Sequence, residues 1–114
     1  MSNPLDVQAG DFVTETLWTD TIVHYVVKAT EKSIWLVRAK ETGVTASRSN
    51  GSPFPIVFRA VDAPDNIDHA GHRVGLRKDG TFRSMQGGRP LRKAETMHFD
   101  GLGERPYSRV DYSY

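Results

Sequence analysis

"TIVHYVVKATEKSIWLVRAK", Thr21 to Lys40, decides the architecture. Its first part sets Ile22, Val23, Tyr25, Val26 and Val27 close together with few polar breaks, a composition that suits a β-strand covered on both faces. "TEKS", Thr30 to Ser33, is a short polar connection, and Ile34 to Lys40 reads as the next strand. Upstream, "DFVTETLW", Asp11 to Trp18, mixes β-branched, aromatic and polar residues after the turn signal "AGD", and "WTDT" turns the chain into Thr21. The spacing therefore predicts an antiparallel meander over the first forty residues, with 21–29 at the centre of the sheet. Alternation along the third strand puts Ile34, Leu36 and Arg38 on one face and Trp35, Val37 and Ala39 on the other.

Beyond Lys40 the character changes. Glu41 to Pro53 is small, polar and aperiodic, which predicts a mobile loop. Phe54 to Val61 returns to strand composition, with Pro55 confining its start to an edge or to the beginning of a strand. "DAPDNIDHAG", Asp62 to Gly71, reads as one helical turn between Pro64 and Gly71. "LRKAETMHF", Leu91 to Phe99, is open between strand and helix. Residues 101–114, rich in tyrosine, read as a C-terminal tail whose aromatics pack back onto the barrel, with a stacking or partner surface as the alternative.

A length of 114 residues suits one domain spanning 1–114, large enough to bury a core without disulfides or metal. Hydrophobic and charged contents of 38% and 25% are those of a folded globular chain. The absence of cysteine excludes a disulfide framework, a thiolate nucleophile and a thiolate zinc site, and it fits a reducing cytoplasm. The start shows no basic stretch followed by an apolar run, and "IVHYVV" is far shorter than the roughly 20 residues a bilayer requires. These features predict a cytoplasmic protein with no membrane partner.

A net charge of +1 makes no whole-molecule argument for nucleic acid, but the charge is unevenly placed. Between residues 73 and 93, seven basic residues face Asp79 alone, a local net of +6, which leaves −5 elsewhere. "HRVGLRKDGTFRSM", His72 to Met85, is the centre of that region and reads as a hairpin. A two-residue Asp79-Gly80 turn would mix polar and apolar residues on both faces. A three-residue loop, Lys78-Asp79-Gly80, with Gly80 left-handed, pairs Leu76 with Phe82 and Val74 with Ser84. That register gathers Val74, Leu76 and Phe82 on one face and Arg73, Arg77 and Arg83 on the other. Arg73, Arg77, Lys78 and Arg83, with Trp18 or Trp35 lining a groove, are the candidate residues for binding a partner or nucleic acid. The competing reading is the solvated face of an edge hairpin, where positive charge discourages aggregation.

Asp62, Asp65, Asp68, His69 and His72 crowd one segment whose donors could hold a divalent metal, although acidic residues beside Pro and Asn are ordinary turn formers. His24, inside an apolar strand, reads as a satisfied core or interface histidine, and His98 has no evident partner. There is no Gly-x-Ser-x-Gly elbow, and "GLGER", Gly101 to Arg105, lacks the third glycine and strand-to-helix context of a dinucleotide fingerprint; it reads as a turn.

The ordered stretches "AGDFV", "WTD", "KSIWLVRAK", "LRKDGTF", "GLGERPY" and "DYSY" resemble a pattern seen in short uncharacterised proteins of bacteriophages, especially those of actinobacteria. The resemblance implies a phage origin and carries over no catalytic residue. The sequence thus predicts a mainly β domain with little helix, a small antiparallel β-barrel or rolled sheet of SH3-like size. The expected function is that of a non-enzymatic phage accessory protein, without a cofactor, that binds a host protein or small ligand. Nucleic-acid binding through hairpin 73–83 is the alternative, and a metal-dependent hydrolase using Asp65, Asp68, His69 and His72 is the third reading.

Overall fold

The computed structural model describes residues 3–16, 20–48, 56–67, 71–84 and 88–111. Among them are nine strands: β1 (Phe12–Thr16), β2 (Asp20–Ala29), β3 (Ser33–Arg38), β4 (Lys40–Arg48), β5 (Ile56–Asp62), β6 (His72–Gly75), β7 (Leu91–Lys93), β8 (Thr96–Phe99) and β9 (Gly103–Asp111). They form one antiparallel sheet in the order β4-β5-β9-β2-β1-β7, with β3 joining β2 to β6 and β8 lying on β9. The sheet rolls without closing into a barrel, since β4 and β7 end the order without pairing to each other. No described helix is long and apolar enough to cross a membrane.

β2 is the organising strand, paired with β1, β3 and β9. Its two faces are both covered, because Val26 belongs to one apolar cluster with Val13, Ile34, Leu36, Val74, Phe82 and Leu91, while Val23 belongs to another with Ala39 and Val61. The register between β2 and β3 slips between Val26 and Lys28, leaving Val27 as the extra residue. On β3, Ile34 and Leu36 turn into the first cluster, and Trp35 is half-buried on the opposite face. Asn3 ties the start of the chain to this core: its buried amide donates to the carbonyls of Val7 and Thr30, and its oxygen accepts from Leu5 and Val7.

Several expectations are corrected. Residues 41–48, read as part of a loop, belong to β4, whose backbone pairs with β5 from Lys40↔Asp62 to Arg48↔Ile56; residues 49–53 lie outside the described residues. An edge strand of small polar residues is held by its backbone ladder, so side-chain periodicity does not announce it. Its irregularity between Glu41 and Thr45 contains Gly43, whose φ is +84°. The helical turn expected after Asp62 does not form over 62–67, where Asp62 accepts from the Ala63 amide and Asp65 pairs with Lys40. So short a segment does not repay the cost of helix nucleation. Leu91 to Phe99 resolves into β7 and β8. The C-terminal segment is more than a docked tail, for β9 runs within the sheet and pairs with β5, β2 and β8.

The turn of the basic hairpin matches the sequence reading. The Arg77 amide donates to the Thr81 carbonyl, the Gly80 amide donates to the Arg77 carbonyl, and Gly80 has a φ of +81°. Asp79 accepts from both the amide and the hydroxyl of Thr81, and these hydrogen bonds hold its carboxyl below the ordinary range. The expected ladder, however, stops at Thr81. Ser84 donates to Arg89 and Leu91 to Phe82, so the second arm pairs with its own downstream segment while β6 pairs with β3. The exchange gives up the shorter hairpin loop but sets Val74 opposite Ile34 in one apolar cluster with Phe82 and Leu91, so burial decides the pairing. Val74 and Phe82 are buried and Leu76 packs against their cluster, although among the described residues the expected pairs Leu76–Phe82 and Val74–Ser84 do not form.

Candidate functional site

The pairing of β1, β2, β3 and β6 determines which side chains meet on the inner surface of the rolled sheet. Glu15 stands opposite Ile22, His24 opposite Arg38, and Leu36 opposite His72. Cross-strand partners share a face, so these pairs line one hollow of about 640 Å³ together with Val74, Ser84 and Leu91. Its volume falls in the range of small-molecule sites, roughly 300–1,000 Å³. Ile22, Leu36, Val74 and Leu91 make the walls apolar. Arg38 and His72, both exposed, stand at its rim.

The polar centre of the hollow is Glu15 with His24. Glu15 is 8% exposed, and its Oε2 lies 3.5 Å from His24 Nε2. An ionised carboxylate offers only acceptors, so in that pairing the imidazole is the donor. Burial holds the His24 imidazole below its ordinary pKa; the Glu15 carboxylate opposes this, and Arg38 and His72 add to it. Burial outweighs the carboxylate, and His24 is neutral at pH 7. Among the described residues His24 is the one partner within hydrogen-bonding reach of the Glu15 carboxylate. At 3.5 Å that contact is long, so the buried carboxyl group faces a largely apolar hollow with spare acceptor capacity.

Compared with protein-family models, curated proteins and solved structures, the chain matches none. The reading of the hollow rests on its own geometry.

The basic residues expected to form one surface are distributed differently. Arg73 stands directly across from Trp35, and the Lys28 ammonium sits 4.8 Å from the centre of the same indole. Arg77 and Lys78 are exposed around the turn. Arg83 is tied down, donating to the Gly88 carbonyl at 2.9 Å and lying 3.6 Å from Asp79. Arg83 is thus engaged within its own turn, and Trp35 stands across from Arg73. Trp18 lies outside the described residues.

The acidic, histidine-containing segment is also divided. Asp65 pairs with Lys40 at 2.6 Å, His72 borders the hollow, and Asp68 and His69 lie outside the described residues. Among the described residues no three His, Asp or Glu side chains are gathered as a metal would require.

Sequence reasoning missed Glu15. In "FVTET" it reads as one more polar position, but it shares the alternation of buried Val13, and that shared parity was the signal available.

Proposed function

We propose that this protein binds a small, partly apolar molecule in the hollow between β1, β2, β3 and β6, without catalysing a reaction on it. The observation that carries this reading is Glu15: a buried carboxylate, weakly partnered by a neutral histidine, opening on an apolar cavity. Such a group recognises a hydrogen-bond donor or cation, and the walls recognise an apolar body. An alkyl or aryl amine has that chemistry. The resemblance to short bacteriophage proteins supports a ligand drawn from the host cytoplasm.

The test is a titration with benzylamine and tyramine against the corresponding neutral alcohols, followed by NMR shifts of the strands that line the hollow. The amines are expected to bind more tightly, and Glu15→Gln is expected to abolish that preference. His72→Trp, at the rim, should obstruct both. No preference for amines, or a preference that survives Glu15→Gln, defeats the reading.

A second reading is favoured by the cross-strand set Lys28, Trp35 and Arg73, in which an indole lies between two cations. Stacking flanked by positive charge suits single-stranded nucleic acid. Fluorescence anisotropy with labelled oligothymidylate should then show binding that weakens steeply with salt and is lost in Trp35→Ala. Salt-independent or Trp35-independent binding removes this reading.

A further inference from the structure

Side chains alternate along β1, so the hollow that contains Glu15 has a counterpart on the strand's other face, where Thr14 and Thr16 point. A cavity of about 310 Å³ lies there. The register builds it: Thr14 pairs with Arg92 of β7, Thr16 with Thr21 of β2, Thr21 with Arg109 of β9, and Arg109 with Phe58 of β5. Four interstrand pairings thus place two arginines on either side of a threonine floor. β1 and β2 separate them by three strand spacings with an offset of two residues along β1, about 16 Å between backbones, a gap that two long side chains can close around one anion.

Arg109 is the telling residue. Its Nε is buried without a hydrogen-bond partner, and among the described residues its guanidinium meets no carboxylate. Of the acidic groups nearby, Glu41 lies 3.9 Å from Arg59, Glu95, which also lines the cavity, accepts the Tyr107 hydroxyl at 3.1 Å, and Asp20, which borders a second hollow with Arg109, has a partner of its own. Lys93 borders the cavity but directs its ammonium to the Asp6 carbonyl, so it is not counted as a ligand. A buried guanidinium N–H left without an acceptor is costly, and an oxyanion supplies the acceptors that this fork is shaped to meet. Phe58 and Tyr107, half-buried with ring centres 5.3 Å apart and planes at 86°, form the wall beside Arg109. They add a surface for a planar ring.

We infer that this cavity binds a phosphate ester carrying a planar ring, a nucleotide, with Arg92 and Arg109 on the phosphate, Thr16 and Thr21 as hydroxyl donors, and Phe58 and Tyr107 beside the base. The site is independent of the Glu15 hollow. Free nucleotides and single strands share this chemistry, and the experiment separates them.

The experiment is calorimetric titration of the full chain with adenosine 5′-monophosphate, adenosine, inorganic phosphate and a tetra-deoxyadenylate. The monophosphate is expected to bind at least about tenfold more tightly than adenosine or phosphate alone, because both halves of the site must be filled. Arg109→Lys, which keeps the charge but loses the planar fork, and Arg92→Ala should each weaken it by about tenfold or more. A tetranucleotide no tighter than the monomer supports a free nucleotide; one much tighter, with the same arginine dependence, supports a strand as its source. Absence of binding by both at millimolar concentration, or binding indifferent to both substitutions, overturns the proposal. Arg92 is exposed on the edge strand β7, so Arg92→Ala decides the matter even if the Arg109 variant does not fold.

Discussion

Glu15 and His24 meet diagonally across neighbouring strands, Oε2 to Nε2 at 3.5 Å, on the inner face of the rolled sheet. The pair is a poor ion pair by design of its surroundings, because the burial that brings the groups together also keeps the imidazole neutral. What remains is a carboxylate facing a hollow, which is why the pair reads as a recognition element rather than as a brace.

That arrangement has a pH signature. His24 is held below 6.5 in the folded chain, whereas the unfolded chain takes up its proton near 6.5. The unfolded state therefore binds more protons just below that pH, and His24's contribution to stability is complete above 6.5 and declines as the pH falls. Thermal melts between pH 7.5 and 5 should show a falling midpoint, and His24→Gln should flatten that slope. An unchanged slope in the variant would place the effect elsewhere.

Glu15→Leu separates recognition from stability. A buried carboxylate with one long partner contributes little to folding, and an apolar residue of similar size is expected to be neutral or to stabilise by up to about 2 kcal/mol. Chemical denaturation measures this. A loss of several kcal/mol would show that Glu15 is structural.

Gly71 precedes β6 with a φ of +83°, and a Cβ there would lie 2.7 Å from the carbonyl oxygen of Leu36. Backbone on both sides of that contact leaves little room to yield. Gly71→Ala should destabilise the fold by about 1–3 kcal/mol, whereas Gly80→Ala, with open space around its Cβ position, should cost only the left-handed backbone, about 1 kcal/mol. Equal losses in the two variants would contradict the steric account.

Phe82 is 1% exposed and fills the first apolar cluster from a segment that is not itself in a strand. Phe82→Ala should cost about 3–5 kcal/mol, as cavity-forming aromatic truncations do. Urea titration checks it, and a loss below about 1 kcal/mol would mean the segment is peripheral.

Much of this architecture is legible in the chain itself. The run from Thr21 to Lys40 specifies a meander because its apolar residues can be buried only by sheet neighbours on both sides, and Val23 and Val26 do enter different clusters. Gly80 specifies its own turn, since the left-handed conformation belongs to glycine. Composition and alternation are local properties, so local structure follows from them. Which strands pair across long intervals is a different matter. β4 is bound through backbone groups that every residue possesses, β9 enters between β5 and β2, and Arg83 is fastened to Gly88 away from Arg73. Glu15 meets His24 across the consecutive strands β1 and β2, but Leu36 opposite His72 and Arg109 opposite Thr21 exist only because strands distant in sequence adopt one register. Local pattern determined the strands and turns of this protein; backbone pairing at long range, blind to side-chain identity, decided which side chains share a cavity.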